Sequence, residues 1–118
     1  DRLRIAEHLP RAQFVALLKR PEIRALVGNS SAGIIEASAL GTRVIDIGRR
    51  QRGRERATAV VGCAVAEPTA LDEAFSALDF VPDHATHPYG DGGASARIAR
   101  QLAEFDESRH PLAKLNAF

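Results

Sequence analysis

Leu26-Val27-Gly28-Asn29-Ser30-Ser31-Ala32-Gly33-Ile34-Ile35-Glu36-Ala37, then Gly41-Thr42-Arg43-Val44-Ile45-Asp46-Ile47-Gly48, then Arg49-Arg50-Gln51-Arg52-Gly53-Arg54-Glu55-Arg56: these three runs decide how the chain is read. An apolar strand ends in a tight turn, and a short helix opens on small and hydroxyl residues. A second strand follows, and then a loop with five arginines in eight residues. In chemical terms this is an anion seat at a helix start, a carboxylate one turn further in, and a loop dense in guanidinium groups. A nucleoside diphosphate suits that set.

The flanking sequence continues the same alternation. Arg2-Leu3-Arg4-Ile5-Ala6 alternates polar and apolar residues and predicts a strand. Pro10 fits the first turn of a helix reaching Arg20, with Phe14, Leu17 and Leu18 as its apolar stripe and Pro21 closing it. Residues 23–27 read as a buried strand, residues 31–40 as a helix stopped by Gly41, and residues 43–47 as the next strand. Residues 57–61 and 63–66 lean towards β. Pro68 and Thr69 then open a helix over residues 70–78, with Leu71, Ala74, Phe75 and Leu78 on one face. Residues 82–93 form a loop rich in Pro, Gly, His and Asp. A final amphipathic helix over residues 94–107 carries Ile98, Leu102 and Phe105, and a loose tail is expected after Pro111. Strands alternating with helices at this spacing predict an α/β fold, a Rossmann-like parallel sheet with helices on both faces. Strand order is not legible at this level.

Composition narrows the class. At 118 residues the chain is long enough for one core, so residues 1–118 are expected to form one domain. Apolar content of 45% with 26% charge is ordinary for a globular protein, and a net charge of +1 gives no global pull towards nucleic acid or membrane. No apolar run approaches a membrane span and no signal peptide is visible. The single cysteine, Cys63, sits in an apolar run, has no internal disulfide partner, and is expected to be a buried small residue in a cytoplasmic protein. The chain begins at Asp1 and contains no methionine, so we expect it to be a piece of a longer polypeptide.

Ligands of open α/β sheets bind beyond the carboxyl ends of the strands, where Gly28 to Gly33 would lie. Free N–H groups of the first helical turn stabilise a phosphate there, and Ser30 and Ser31 add hydroxyl donors. Ala32 and Gly33 would keep the approach open. Ser30 as a plain helix cap and Gly28 as a turn residue account for the same stretch equally well. Glu36 falls on the helix face of Ala32 and Gly33, and accepting hydrogen bonds from a ribose diol would justify a carboxylate beside phosphate. A solvated helix glutamate is the plainer alternative. The loop arginines suit diphosphate recognition through their planar forks. Arginine also outnumbers lysine 14 to 2 across the chain, so the loop could reflect composition. A nucleic-acid patch is a third account, but no aromatic residues interleave the arginines. Asp46 lacks the companion acidic cluster of a phosphoacceptor site. His84, His87 and His110 lack metal-like pairing, so neither a metal nor a cofactor is expected. Neither G-x-G-x-x-G nor a P-loop is present.

Gly28-Asn29-Ser30-Ser31-Ala32-Gly33-Ile34-Ile35-Glu36, Ile45-Asp46-Ile47-Gly48-Arg49-Arg50-Gln51-Arg52-Gly53-Arg54 and Pro88-Tyr89-Gly90-Asp91-Gly92-Gly93-Ala94-Ser95 together resemble the hydrolysing UDP-N-acetylglucosamine 2-epimerase family. That family carries G-N-S-S-[SA]-G-I-x-E, N-I-G-x-R-Q-x-G-R and N-P-Y-G-D-G-x-A-S in this order. Asp46 stands where Asn is usual, Arg49 where Asp is common and His87 where Asn is usual. The resemblance implies the C-terminal, UDP-holding half of a two-domain enzyme of the glycosyltransferase-B kind, with the N-terminal domain absent. It implies that Asn29, Ser30, Ser31 and Ala32 surround the UDP, with both serines on the diphosphate and Glu36 on the ribose. Phe14 would lie near the uracil, while Arg50, Gln51 and Arg54 would face the cleft. It further implies elimination of UDP across C1 and C2 of the sugar, then addition of water with inversion at C2. No catalytic acid–base pair is expected in this half, and a fragment of this kind should be inactive. Apolar groups left bare by the missing domain are expected around the last helix, with self-association as one consequence.

Overall fold

The computed structural model of the chain describes residues 3–79 and 87–106. A parallel sheet of three strands, β1 (Ala25–Gly28), β2 (Arg43–Ile47) and β3 (Val60–Cys63), runs in the order β1-β2-β3. The middle strand matches its predicted bounds. Its core, Val44-Ile45-Asp46, is buried on both faces, which explains the near-continuous β-branched run.

Alternation along the strands sends two sets of side chains to opposite faces. On one face Leu26, Val44 and Val60 pack with Phe14 and Leu18 of α1 (Arg11–Leu18), and with Ala37 and Leu40. On the other, Ala25, Ile45, Ile47, Val61 and Cys63 pack against Ala70, Leu71, Ala74 and Leu78, in and just beyond α2 (Pro68–Ser76). Each fully buried isoleucine, such as Ile45, stabilises the fold by about 1.5–3 kcal/mol. Helices therefore cover both faces of the sheet, as the alternation predicts.

The helix after β1 departs from expectation. It begins and ends in α-helical turns, but Gly33–Ala37 is π-helical, with the Ser38 N–H donating to the Gly33 carbonyl. Thr42 continues the five-residue spacing by donating to the Ala37 carbonyl at 3.0 Å. Gly33 faces the sheet, since a Cβ there would lie 2.9 Å from Val44 Cγ1. Its small size lets helix and strand approach. Gly41 ends the helix with φ +81°, the left-handed conformation a helix stop favours. Thr42 Oγ1 donates to the Leu18 carbonyl at 2.8 Å, satisfying one of the acceptors that α1 leaves open at its end.

Other expectations fail for physical reasons. Residues 3–6 form no strand: Leu3 and Ile5 are exposed and find no neighbouring strand to pair with among the described residues. Residues 57–59 turn instead of extending, and β3 stops at Cys63. Phe75 is half exposed because Ala74 and Leu78, one helical turn apart, already occupy the sheet. The last helix, α3 (Ala94–Ala103), forms but buries none of its residues, so Ile98, Leu102 and Phe105 stay exposed. Arg2, residues 82–86 of the predicted loop, the helix end at Glu107, the tail, His84 and His110 lie outside the described residues.

Cys63 is buried as a small residue, its thiol donating to the Val65 carbonyl at 3.0 Å. Among the described residues no helix is long and apolar enough to cross a membrane.

Substituting Gly33→Ala forces Val44 or the helix to move. We expect a loss of about 1–3 kcal/mol, read as a lower urea midpoint at unchanged slope. An unchanged midpoint would mean that the helix has room to lift.

Candidate functional site

At the carboxyl end of β1 the chain turns through Gly28, Asn29 and Ser30 into the helix. A cleft of about 180 Å³ opens there, lined by Phe14, Leu26, Val27, Gly28, Ser30, Ala32, Gly33 and Val44. That lies below the roughly 300 Å³ at which small-molecule sites begin, so the cleft takes a ring or a phosphate group and not a whole nucleotide sugar. Its walls are apolar apart from Ser30 and the backbone. Phe14 reaches it from α1.

The helix start is partly self-satisfied. Ser30 Oγ accepts the Ala32 N–H at 3.3 Å, and the Ser30 carbonyl accepts the Gly33 N–H at 3.1 Å. Ser30 therefore acts as a cap here, as the plainer alternative holds. Its oxygen is used as an acceptor, which leaves the hydroxyl proton to donate outwards. Ser30 is exposed and Ser31 half-buried at this mouth.

Glu36 sits one turn into the helix, half-buried, with Oε1 accepting from Arg11 Nη1 in an ion pair. It is neither fully solvated nor turned into the core. The carboxylate faces the start of α1, the helix that also supplies Phe14.

The arginine loop is more ordered in its contacts than a flexible connection would be. Two successive tight turns form it, with Arg52 N–H donating to the Arg49 carbonyl and Arg54 N–H to the Gln51 carbonyl. Gln51 is buried, at 3% exposure, and its Nε2 donates to the Asn29 carbonyl at 2.8 Å. This ties the loop to the turn that opens the helix. Gln51 Oε1 is buried without a partner among the described residues. At the far end of the loop, Arg56 Nη2 donates to Asp46 Oδ2 at 2.6 Å. Asp46 is 2% exposed and flanked in register by Gly28 and Gly62, so the guanidinium has space above the sheet. The structure thus joins Gln51 and Asn29, whereas Arg50 and Arg54 are exposed and make no ion pair among the described residues. Asp46 serves a structural pair, consistent with the rejection of a phosphoacceptor role.

A third connection was not visible in the sequence. His87 Nε2 lies 2.9 Å from Ser38 Oγ, a spacing that a nucleophile and its base would show. The roles run the other way. His87 Nδ1 accepts the Tyr89 N–H at 3.3 Å, so the proton of the neutral ring resides on Nε2 and is donated to Ser38, whose hydroxyl donates to the Ile34 carbonyl. Tyr89 OH in turn donates to the Glu55 carbonyl at 3.0 Å. The Pro88-Tyr89-Gly90 turn straps the helix to the arginine loop. In the same motif Asp91 accepts the Gly93 N–H at 2.9 Å and two bonds from Arg97 Nη1 at 3.0 Å. The Gly93 N–H, then Arg97, hold the Asp91 carboxyl below its ordinary value. No group of three or more His, Cys, Asp or Glu placed to hold a metal occurs among the described residues.

The sequence is similar to known proteins over most of its length. The family model for UDP-N-acetylglucosamine 2-epimerase matches residues 1–103. The chain belongs to the UDP-N-acetylglucosamine 2-epimerase family. It is 34% identical over 116 residues to a UDP-N,N'-diacetylbacillosamine 2-epimerase (hydrolyzing) of Legionella pneumophila, covering 98% of this chain and 30% of that protein. It is 33% identical over 76 residues, 64% of this chain, to a GDP/UDP-N,N'-diacetylbacillosamine 2-epimerase (hydrolyzing) of Campylobacter jejuni. A polysialic acid biosynthesis protein of Escherichia coli matches at 32% identity over 72% of this chain. The chain spans 30%, 18% and 23% of the lengths of these three relatives, respectively. Within this epimerase family member, the cleft, the tethered loop and the strap all lie in the matched residues.

Two measurements check the tethers. Arg56→Ala leaves the Asp46 carboxylate buried without its partner and should cost about 2–3 kcal/mol, near the lower end for breaking a buried pair because Arg56 is one-third exposed. Adding Asp46→Asn should recover part of the loss in urea unfolding, and no loss in the single variant would remove the tether. For Asp91, a lowered folded pKa means its contribution is complete above the ordinary value of 3.8 and disappears as pH falls through the folded value. The Gly93 amide resonance should report a transition below pH 3.8 that Asp91→Asn lacks.

Proposed function

We propose that this chain is the UDP-holding half of a two-domain, hydrolysing 2-epimerase of the glycosyltransferase-B kind. The observation that carries the proposal is a cleft at one strand end with Phe14 and Ser30 in its wall, with Ser31 next in the chain and the Glu36 carboxylate one helical turn further on, paired with Arg11. Uracil rests against Phe14. The diphosphate lies at the mouth of the helix, bounded by Asn29, Ser30, Ser31 and Ala32, and Arg50 and Arg54 meet it from the loop that Gln51 anchors. Glu36 Oε2 accepts from the ribose hydroxyls while Oε1 stays with Arg11.

The small cleft supports a site completed by a second wall, and the greater length of the relatives supports a parent long enough to supply it. In that parent the substrate is a UDP-linked 2-acetamido sugar, either N-acetylglucosamine or a diacetylated sugar of the kind two of the relatives are named for. The C2 proton and UDP leave to give a glycal. Water then adds at C1, and a proton returns to C2 from the opposite face, releasing free sugar and UDP. The acid and base for these steps belong to the other half. The 118-residue chain alone binds UDP weakly and releases no sugar. A soluble cytoplasmic parent, with the bare face of α3 available to the other half or to a second copy, completes the proposal.

Charged hydrogen bonds contribute about 1.5–3 kcal/mol, so Glu36→Gln should weaken UDP about tenfold or more while weakening 2′-deoxy-UDP less. Calorimetric or NMR titration of both nucleotides measures this. Equal losses would remove Glu36 from the ribose.

A further inference from the structure

We infer that Arg11 is a positioning residue of the nucleotide site, holding Glu36 so that one carboxylate oxygen faces the ribose and neutralising its charge beside the diphosphate. The inference rests on the nucleotide site proposed above and adds a residue that neither the motifs nor the relatives' names assign.

Three observations carry it. Arg11 is the first residue of α1, where a cation is disfavoured by the helix dipole, and that helix has no acidic residue in its first turn to offset it. Its compensation comes from another element: Arg11 Nη1 donates to Glu36 Oε1, across 25 residues of sequence. Arg11 also lies one helical turn before Phe14, so the same face of α1 presents both the cleft wall and the cation. A carboxylate accepts through two oxygens, and an arginine on one leaves the other available. Without the arginine, Glu36 would rotate freely and its full charge would oppose an arriving diphosphate. The pair therefore couples α1, which lends Phe14 to the cleft, to the helix that follows β1.

Exposed ion pairs contribute little to stability, and Arg11 is 75% exposed, so the pair's consequence should appear in binding and not in folding. The test is a double-variant cycle on the 118-residue chain with Arg11→Gln, Glu36→Gln and both together, titrated with UDP and 2′-deoxy-UDP and followed by thermal unfolding. Arg11→Gln should weaken UDP about threefold to tenfold, with a smaller effect on the deoxynucleotide and little change in the unfolding midpoint. In the Glu36→Gln background the same change should cost less than about twofold, and Arg11→Lys should retain most of the affinity. A loss of equal size in both backgrounds would mean that Arg11 acts on the phosphates directly and would overturn the assignment alone. No effect of Arg11→Gln in either background would overturn it too. Failure of the unmodified chain to bind UDP would overturn the nucleotide site, and the assignment with it.

Discussion

A carboxylate at 2% exposure in the middle strand of a sheet is tolerable only with a counter-charge, and Arg56 brings one from ten residues away. Most of what is distinctive here follows from that pair. To reach Asp46, the chain after β2 must fold back over the sheet, which it does through two tight turns before β3 begins. Gly28 and Gly62 flank Asp46 on the neighbouring strands, and Arg56 Nη1 lies over Gly62, 3.5 Å from where a Cβ would stand. The arginine loop is thereby fixed at one end to the sheet. At its other end Gln51 fixes it to the Asn29 carbonyl, at the turn where the helix starts.

The helix is fixed by a different contact. Gly33 lies so close to Val44 that a methyl group would not fit, which holds the helix start over the strand ends. The π-helical spacing of Gly33–Ala37 puts Ser38 where it bonds both the Ile34 carbonyl and His87. Loop, helix and strap are thus tied to one another, and the cleft with room for a ring or a phosphate opens at the same helix start.

Much of this was legible in the sequence, and the reasons differ by element. The β-branched run at Arg43–Ile47 announces a doubly covered strand because no other element tolerates it as well. Gly41 and Pro68 mark boundaries through backbone geometry alone. The motifs around Ser30, Gln51 and Tyr89 were enough to identify the family, which residues 1–103 match. Long-range placement was not legible. Pairing Asp46 with Arg56 depends on how the chain folds back between β2 and β3. The burial of Gln51, between exposed arginines, carries no local signal. The π-helical turn carries no local signal either, since Ile34, Ile35, Glu36 and Ala37 suit an ordinary α-helix. The tie between Arg11 and Glu36 is not legible because the partners lie 25 residues apart, although Arg11 stands one turn before Phe14. Residues 3–6 show the opposite error, where alternation without a paired neighbour produced no strand.

The central claim is that a nucleoside diphosphate lodges where the chain turns from β1 into the helix. Amide shift mapping of the isotopically labelled chain with UDP, uridine and a short single-stranded DNA tests it most directly. The account predicts UDP-dependent shifts running from residue 29 to residue 36, with weaker ones for uridine and none of that pattern for DNA. Shifts confined to residues 49–56 and produced equally by DNA would contradict it.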